Sequence, residues 1–375
     1  MTDTLILGGG AAGLFLASLL KSDYKIIEHN PYVGAKIKIS GGGRCNITNT
    51  DISPFHYLVK EEGFLEPAFK NFSNAHLLKW LKARGCEPVI RKRGQYFCPK
   101  SSEELLNIFK KEVKNTVLNC EILDVKEGFE VKTSKGIFRA KNLVVATGGL
   151  SYRRVGASGV GYEIAKKMGH GVTPLRPALV GFTVQKEQFW FKELFGISFE
   201  AVVRVEKRVF EDDILFTHKG ISGPAILNAS LYWQKGEIEI SFLKKSVKSY
   251  LKNPNKNVST QLPLPKRFVK EFLKSIGLED KKVKELGKEE LRRLGLLNSY
   301  RFAPAGTFGF ERAEVTKGGV DIESIDRFTM QSRIKEGLYF LGEVLDVTGE
   351  LGGYNFQWAF SSAALAYRSI RKARF

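Results

Sequence analysis

Thr4-Leu5-Ile6-Leu7-Gly8-Gly9-Gly10-Ala11-Ala12-Gly13-Leu14 opens the chain and decides its fold. The four residues Thr4 to Leu7 make a short buried strand, the glycines make a turn, and Ala11 to Lys21 reads as a helix with Leu14, Ala17 and Leu20 at near-helical spacing. Lys25-Ile26-Ile27-Glu28 is the next strand. A glycine triplet alone is often only a turn; in a β-turn-α-β unit of about thirty residues it becomes a dinucleotide site. Gly8 gives the tight turn, Gly10 lets the backbone approach a pyrophosphate, Gly13 permits close packing of helix on strand, and the helix N-terminus beginning at Ala11 faces the anion. Glu28, at the end of the second strand, is placed to accept hydrogen bonds from ribose hydroxyls.

Two later stretches favour FAD over NAD. Leu143-Val144-Val145 runs into Ala146-Thr147-Gly148-Gly149, and Leu338-Tyr339-Phe340-Leu341 runs into Gly342-Glu343, where an acid can take hydrogen bonds from a ribityl chain. Each could be an ordinary strand-to-loop turn; three such turns in this order fit a flavin laid across one sheet. Gly353-Tyr354-Asn355 starts a helix to about Lys372, whose N-terminus would face the N1 and O2 edge of the ring, where negative charge gathers on reduction. No second Gly-x-Gly-x-x-Gly unit with its own strand and acid is present. NAD(P)H would therefore dock transiently at the flavin, or the substrate itself would reduce it.

Between these landmarks lies a loop from 34 to 49 rich in glycine and basic residues, centred on Gly41-Gly42-Gly43-Arg44. Helical patterns follow near Ala75 to Arg84 and Glu103 to Lys114, then a strand meander from Glu121 to Ala140. Gly181 to Phe242 is β-rich, and helices are expected from near Lys266 and across Leu286 to Leu297. The expected organisation is α/β: a two-dinucleotide-binding, Rossmann-like FAD domain in residues 1–175 and 312–375, an inserted β-barrel-like domain in 176–262, and a small basic helical module in 263–311.

Length favours more than one core, and 43% hydrophobic with 26% charged residues is the composition of a globular protein without a run long enough to span a bilayer. No secretion signal precedes the first strand, so a cytoplasmic location is expected and no membrane partner. The four cysteines, Cys45, Cys86, Cys98 and Cys120, have no CxxC spacing and read as buried free thiols; no metal is expected. The formal charge is +19, and Lys244 to Arg293 holds 15 Lys and Arg against 6 Asp and Glu. Such an excess raises affinity for polyanions, but a solvated basic face explains it as well.

Longer motifs carry a family likeness. Ile39-Ser40-Gly41-Gly42-Gly43-Arg44-Cys45-Asn46-Ile47-Thr48-Asn49, Leu215 through Leu227, Glu314-Val315-Thr316-Lys317-Gly318-Gly319-Val320, and Gly342 to Asp346 followed by Gly352 to Ala359 resemble the YhiN/BaiN-like family of NAD(P)/FAD-dependent oxidoreductases, which includes aminoacetone oxidase-like members. The resemblance spans nearly the whole chain and implies an FAD domain carrying inserted β-barrel-like and helical domains. Arg153, Val155 and Val160 depart from the family pattern after Gly149, on the substrate side and not the flavin side.

The flavin would carry the chemistry, with the protein orienting and tuning it. His218, in a Gly/Ser/Pro loop with Ser222 as N-cap of a following helix, is a candidate proton shuttle or a structural histidine. Tyr354 is a candidate for positioning substrate, and Gly43-Arg44 for contact with FAD phosphate or an anionic substrate; His170 reads as a helix cap. The expected activity is hydride transfer between a small organic substrate and NAD(P)H or oxygen, as a reductase or an oxidase. The alternatives are a flavin-dependent RNA-modifying enzyme using the basic helices, and a binding protein with flavin as redox sensor. Nucleic-acid readers interleave exposed aromatics with cations, whereas Phe268 and Phe272 fall on the apolar face of their helix, so nucleic acid is the weaker expectation.

Overall fold

The computed structural model describes residues 2–372. The chain divides into two compact units, one comprising residues up to 176 and from 315 onward, the other residues 177–314. Each has its own buried apolar cluster.

The first unit is built on a parallel sheet. Strand Thr2–Leu7 lies between Tyr24–Ile27 and Gly136–Val145, with Thr116–Val117 beyond the former and Leu338–Phe340 beyond the latter. Leu5, Ile6, Leu7, Ile26, Val144, Val145, Leu338 and Phe340 are all buried, as near-continuous apolar runs are when both faces of a sheet are covered. Gly136–Val145 serves two sheets: Gly136 to Arg139 pairs antiparallel with Glu130–Thr133, and Ala140 to Val145 pairs parallel with the first strand. Helices Ala11–Leu20 and Tyr354–Lys372 are largely buried, and the rings of Phe15 and Phe360 pack at 5.0 Å. Ala359, Ala363 and Ala366 keep that long helix slim where it is buried.

The 34–49 segment is not one loop. Residues from Ala35 are helical until Ser40, Gly41 and Gly42 leave helical geometry, the two glycines at φ of 56° and 64°. Strand Asn46–Asn49 then pairs with Gln95–Phe97, which pairs with Val89–Ile90. Glycine content hid both elements. The left-handed turn needs those glycines, since a side chain there costs about 1 kcal/mol or more.

The second unit holds a seven-stranded antiparallel sheet in the order Tyr300–Phe302, Ile238–Ser241, Ser198–Val205, Arg208–Thr217, Gly220–Ser222, Phe182–Thr183, Gly306–Thr307. Helix Lys266–Ser275 buries Phe268, Val269, Phe272 and Leu273 in the same cluster as the sheet. Ser222 ends a strand and is not an N-cap; Gly223, at φ 96°, precedes helix Pro224–Tyr232.

All four cysteines are free and buried. Hydrogen bonding to Cys45 pushes the Cys98 thiol up to about 12, and bonding to Cys98 pushes Cys86 higher still, so Cys86 and Cys98 stay protonated and unreactive. No helix among the described residues is long and apolar enough to cross a membrane.

Candidate flavin-binding site

The carboxyl ends of the parallel strands converge on one edge. Gly8 N donates to Ile27 O at 2.9 Å, Ala146 N to Leu7 O at 2.9 Å and Leu341 N to Val145 O at 3.0 Å. The ladder thus continues one residue past each strand and sets Gly8, Glu28, Ala146 and Gly342 side by side. In an open α/β sheet this is the edge where ligands bind.

The glycines differ in what they do. A Cβ on Gly8 would lie 2.5 Å from Ala146 O, and one on Gly13 would lie 2.1 Å from Gly8 O, so both are required by the fold. A Cβ on Gly10 would meet nothing within 4 Å. Open space therefore flanks the first turn of helix Ala11–Leu20, whose amides receive no side-chain cap. Gly148, at φ 72°, faces open space in the same way. The buried Glu28 carboxylate accepts from Gly9 N and Asn30 N, each at 2.8 Å, and His29 Nδ1 lies 3.2 Å away. Backbone amides fix its orientation, and a carboxylate has lone pairs left for two ribose hydroxyls. This uncapped helix start, open glycine turn and anchored acid fit the adenosine pyrophosphate half of FAD.

Glu343 is the second anchor. Lys36 Nζ donates to both of its oxygens, at 3.1 and 2.8 Å, and Thr316 N donates to Oε1 at 2.9 Å. Thr316 Oγ1 accepts from Leu150 N at 2.8 Å, tying the acid to the Ala146–Gly149 turn. A Cβ on Gly149 would sit 2.8 Å from Glu343 Oε1 and 2.5 Å from Thr316 Oγ1, which explains the glycine. The Thr147 hydroxyl is buried, and a Cβ on Gly161 would lie 2.0 Å from it. Lys36 and Thr316 are site residues that the sequence did not reveal. Lys36 is 307 positions from its partner, and no motif spacing links them.

Around the start of helix Tyr354–Lys372 the chain is tightly determined. A Cβ on Gly353, at φ 93°, would lie 2.5 Å from Thr48 O. Asn355 Oδ1 accepts from Gly349 N at 2.9 Å and its Nδ2 donates to Gly349 O at 2.8 Å, so this side chain braces the turn leading into the helix. Tyr57 Oη donates to Tyr354 O at 2.9 Å, and the ring of His56 stacks on Tyr354 at 4.6 Å. His56 is clamped between Glu350 and Asp51, with Nδ1 to Glu350 at 2.9 Å and Nε2 to Asp51 at 3.1 Å. The bond to Glu350 holds the imidazole above its ordinary 6.5 against the opposing effect of burial, and Asp51 adds to the rise. Burial, then the Glu350 and Asp51 charges, push the Tyr354 phenol well up, so it stays protonated. Of this cluster only Tyr354 was legible in the sequence; His56 meets Glu350 across 294 positions, which no spacing relates.

Arg44 is exposed on the turn after Gly43. His218 belongs to the second unit, exposed and stacked on Phe195 at 3.5 Å. His170 is buried and does cap a helix: its backbone N donates to Ala165 O at 2.9 Å at the end of helix Val160–Lys167, while its ring bridges to other segments, with Nδ1 2.7 Å from Ser324 Oγ and Nε2 2.9 Å from Ser332 Oγ. Asp346 is half-buried, its carboxyl raised first by burial, and its backbone N donates to Val320 O. Among the described residues no group of three His, Cys, Asp or Glu could hold a metal ion.

This fold and site are those of a flavin-dependent oxidoreductase with a Rossmann-type FAD-binding domain. The chain belongs to the family described as HI0933-like protein Rossmann domain, whose model matches residues 2–369. Among its relatives, a ribosomal RNA dihydrouridine synthase of Escherichia coli is 38% identical, over 96% of both chains. One of Haemophilus influenzae is 36% identical over 99% of both. A 3-dehydro-bile acid delta(4,6)-reductase of Clostridium scindens is 29% identical over 97% of this chain and 98% of its own.

Proposed function

We propose that this protein reduces uridine in ribosomal RNA to dihydrouridine with FAD as redox carrier and NADH or NADPH as hydride source. The observation that carries it is the end-to-end likeness, at 36% and 38% identity, to two relatives of that activity. A net charge of +19 suits a polyanionic substrate. The RNA alternative thus takes precedence over a small-molecule substrate.

The reaction adds a hydride and a proton across C5=C6 of uracil, a double bond conjugated with the C4 carbonyl. FAD supplies the two-electron hydride chemistry at its ring when bound. The protein's part is to hold and to protonate. The amides of the first turn of helix Ala11–Leu20 and Glu28 hold the adenosine diphosphate half, and Glu343, fixed by Lys36 and Thr316, holds the ribityl chain. Tyr354 Oη and the imidazole of His56 are candidate proton donors there: burial keeps the first protonated, and the bond to Glu350 favours the charged form of the second.

The bile acid reductase supports a second reading, because a 3-dehydro-Δ4,6 steroid also presents a carbon-carbon double bond conjugated with a carbonyl. One incubation separates the two. The protein is supplied anaerobically with FAD and NADPH or NADH, then with deproteinised ribosomal RNA or a steroid dienone, and products are read by mass spectrometry. Uridine gaining two hydrogens supports the proposal; unchanged RNA beside a reduced steroid would replace it with the second reading.

A further inference from the structure

The turn Arg91-Lys92-Arg93-Gly94 joins strands Val89–Ile90 and Gln95–Phe97 and carries three consecutive exposed cations. A solvated turn needs no anchor, yet this one is fastened to the candidate flavin site. Asn49 Nδ2 donates to Arg93 O at 3.2 Å and to Gly352 O at 3.1 Å, bridging the turn to the glycine two residues before helix Tyr354–Lys372. Thr50 N donates to Gly94 O at 2.8 Å, and a Cβ on Gly94 would lie 2.0 Å from Thr50 Oγ1. Among the described residues no carboxylate pairs with Arg91 or Lys92, and the Arg91 guanidinium lies over the Phe97 ring at 5.4 Å. Asp51, the acid nearest in sequence to these anchors, is engaged by His56.

The chain that leaves Thr50 carries, at Phe55 and His56, rings that lead from solvent to Tyr354. Phe55 is 65% exposed, the highest value among the large apolar side chains, and meets His56 edge-on at 5.4 Å. His56 in turn stacks on Tyr354, which is only 6% exposed. Exposed cations and an exposed ring tied to one helix start supply what single-stranded nucleic acid requires: point charges for phosphates and a face on which a base can stack whatever its identity. In the basic segment 244–293 several cations are bound by acids of their own unit, Lys244 by Glu200 and Glu211, Lys281 by Glu290 and Arg292 by Glu289.

Resting on the proposed function, we infer that Arg91 and Lys92 take backbone phosphates of an unpaired RNA segment while Phe55 stacks a base next to the uridine being reduced. The rim thereby leads the strand inward along Phe55 and His56 to Tyr354.

The test uses the full-length holoprotein and deproteinised ribosomal RNA. R91A/K92A and F55A are compared with the parent and with K266A/K270A, an equal charge change on the exposed face of helix Lys266–Ser275 in the other unit. Retained FAD, read from its absorbance, shows that each variant is folded. R91A/K92A is expected to bind RNA about tenfold or more weakly, with the slope of log affinity against log salt reduced by about 1 to 2, while K266A/K270A changes little. F55A is expected to lose about 5- to 150-fold in RNA affinity with an unchanged salt slope. Unchanged affinity and slope in R91A/K92A, or an equal loss in K266A/K270A, would overturn the inference while dihydrouridine formation by the parent still stood. A parent protein that forms no dihydrouridine would overturn the proposed function and this inference with it.

Discussion

Replacing Glu343 with Gln keeps the shape of the side chain and removes its charge. In the parent, one carboxylate receives three contacts, two from the Lys36 ammonium and one from Thr316 N. The amide of Gln loses the Oε2 acceptor: its oxygen, in the place of Oε1, can still accept from Thr316 N and weakly from Lys36, but its NH2 then faces the ammonium where the 2.8 Å contact was. A hydrogen bond to a charged group is worth about 1.5 to 3 kcal/mol when well shielded. Lys36 keeps 34% of its side chain exposed against 17% for Glu343, so screening places the loss nearer about 1 to 2 kcal/mol. The same acid is assigned to the ribityl hydroxyls, so the FAD dissociation constant should rise by about 5- to 30-fold. Titration of apoprotein with FAD, followed by flavin fluorescence, reads this directly. Lys36→Met closes a double-mutant cycle, in which the two losses should be clearly non-additive. An E343Q protein that binds FAD as tightly as the parent would refute the assignment of Glu343.

A Cβ at Gly10 meets no protein atom within 4 Å and φ there is −85°, so Gly10→Val apoprotein should melt near the parent temperature yet fail to take up FAD. Gly13→Ala is the converse, with its new carbon 2.1 Å from Gly8 O, and should cost at least about 1 to 3 kcal/mol in denaturant titrations of the apoprotein. His56 is raised above 6.5, so its charged form stabilises the fold fully below that value and the contribution fades as pH climbs through the raised one. The stability gap between the parent and His56→Gln should therefore be widest near about pH 6 and shrink toward about pH 8; a gap that does not change over that range would show that the clamp is not charged. Heat release and chromatography of the purified protein should give FAD, not FMN, because Glu28 and the Gly8 to Gly13 turn recognise the adenosine half.

Local signals made the flavin domain legible. Gly8 to Glu28 is a continuous β-turn-α-β unit, and helix Tyr354–Lys372 begins where expected because a glycine pair precedes it and a long apolar period marks it. What escaped was made by tertiary contact. Lys36 and Glu343 are 307 residues apart, and His56 and Glu350 294, so no spacing rule relates them. Strand Asn46–Asn49 was hidden because the glycines that permit its left-handed entry read as a loop. The dense basic stretch was read as a solvated face, and several of its cations are indeed paired with acids of their own unit, whereas the tie of the short Arg91-Lys92-Arg93 run to Gly352 runs through Asn49, a residue unremarkable in sequence.

The central claim, that the flavin of this protein passes hydride to uridine in RNA, is tested most directly by rapid mixing. Holoprotein reduced by light under anaerobic conditions is mixed with deproteinised ribosomal RNA, and the oxidised flavin band is followed with no other acceptor present. The band should return in step with dihydrouridine formed, one for one. A flavin that stays reduced in the presence of RNA and then reoxidises at once when air is admitted would contradict it.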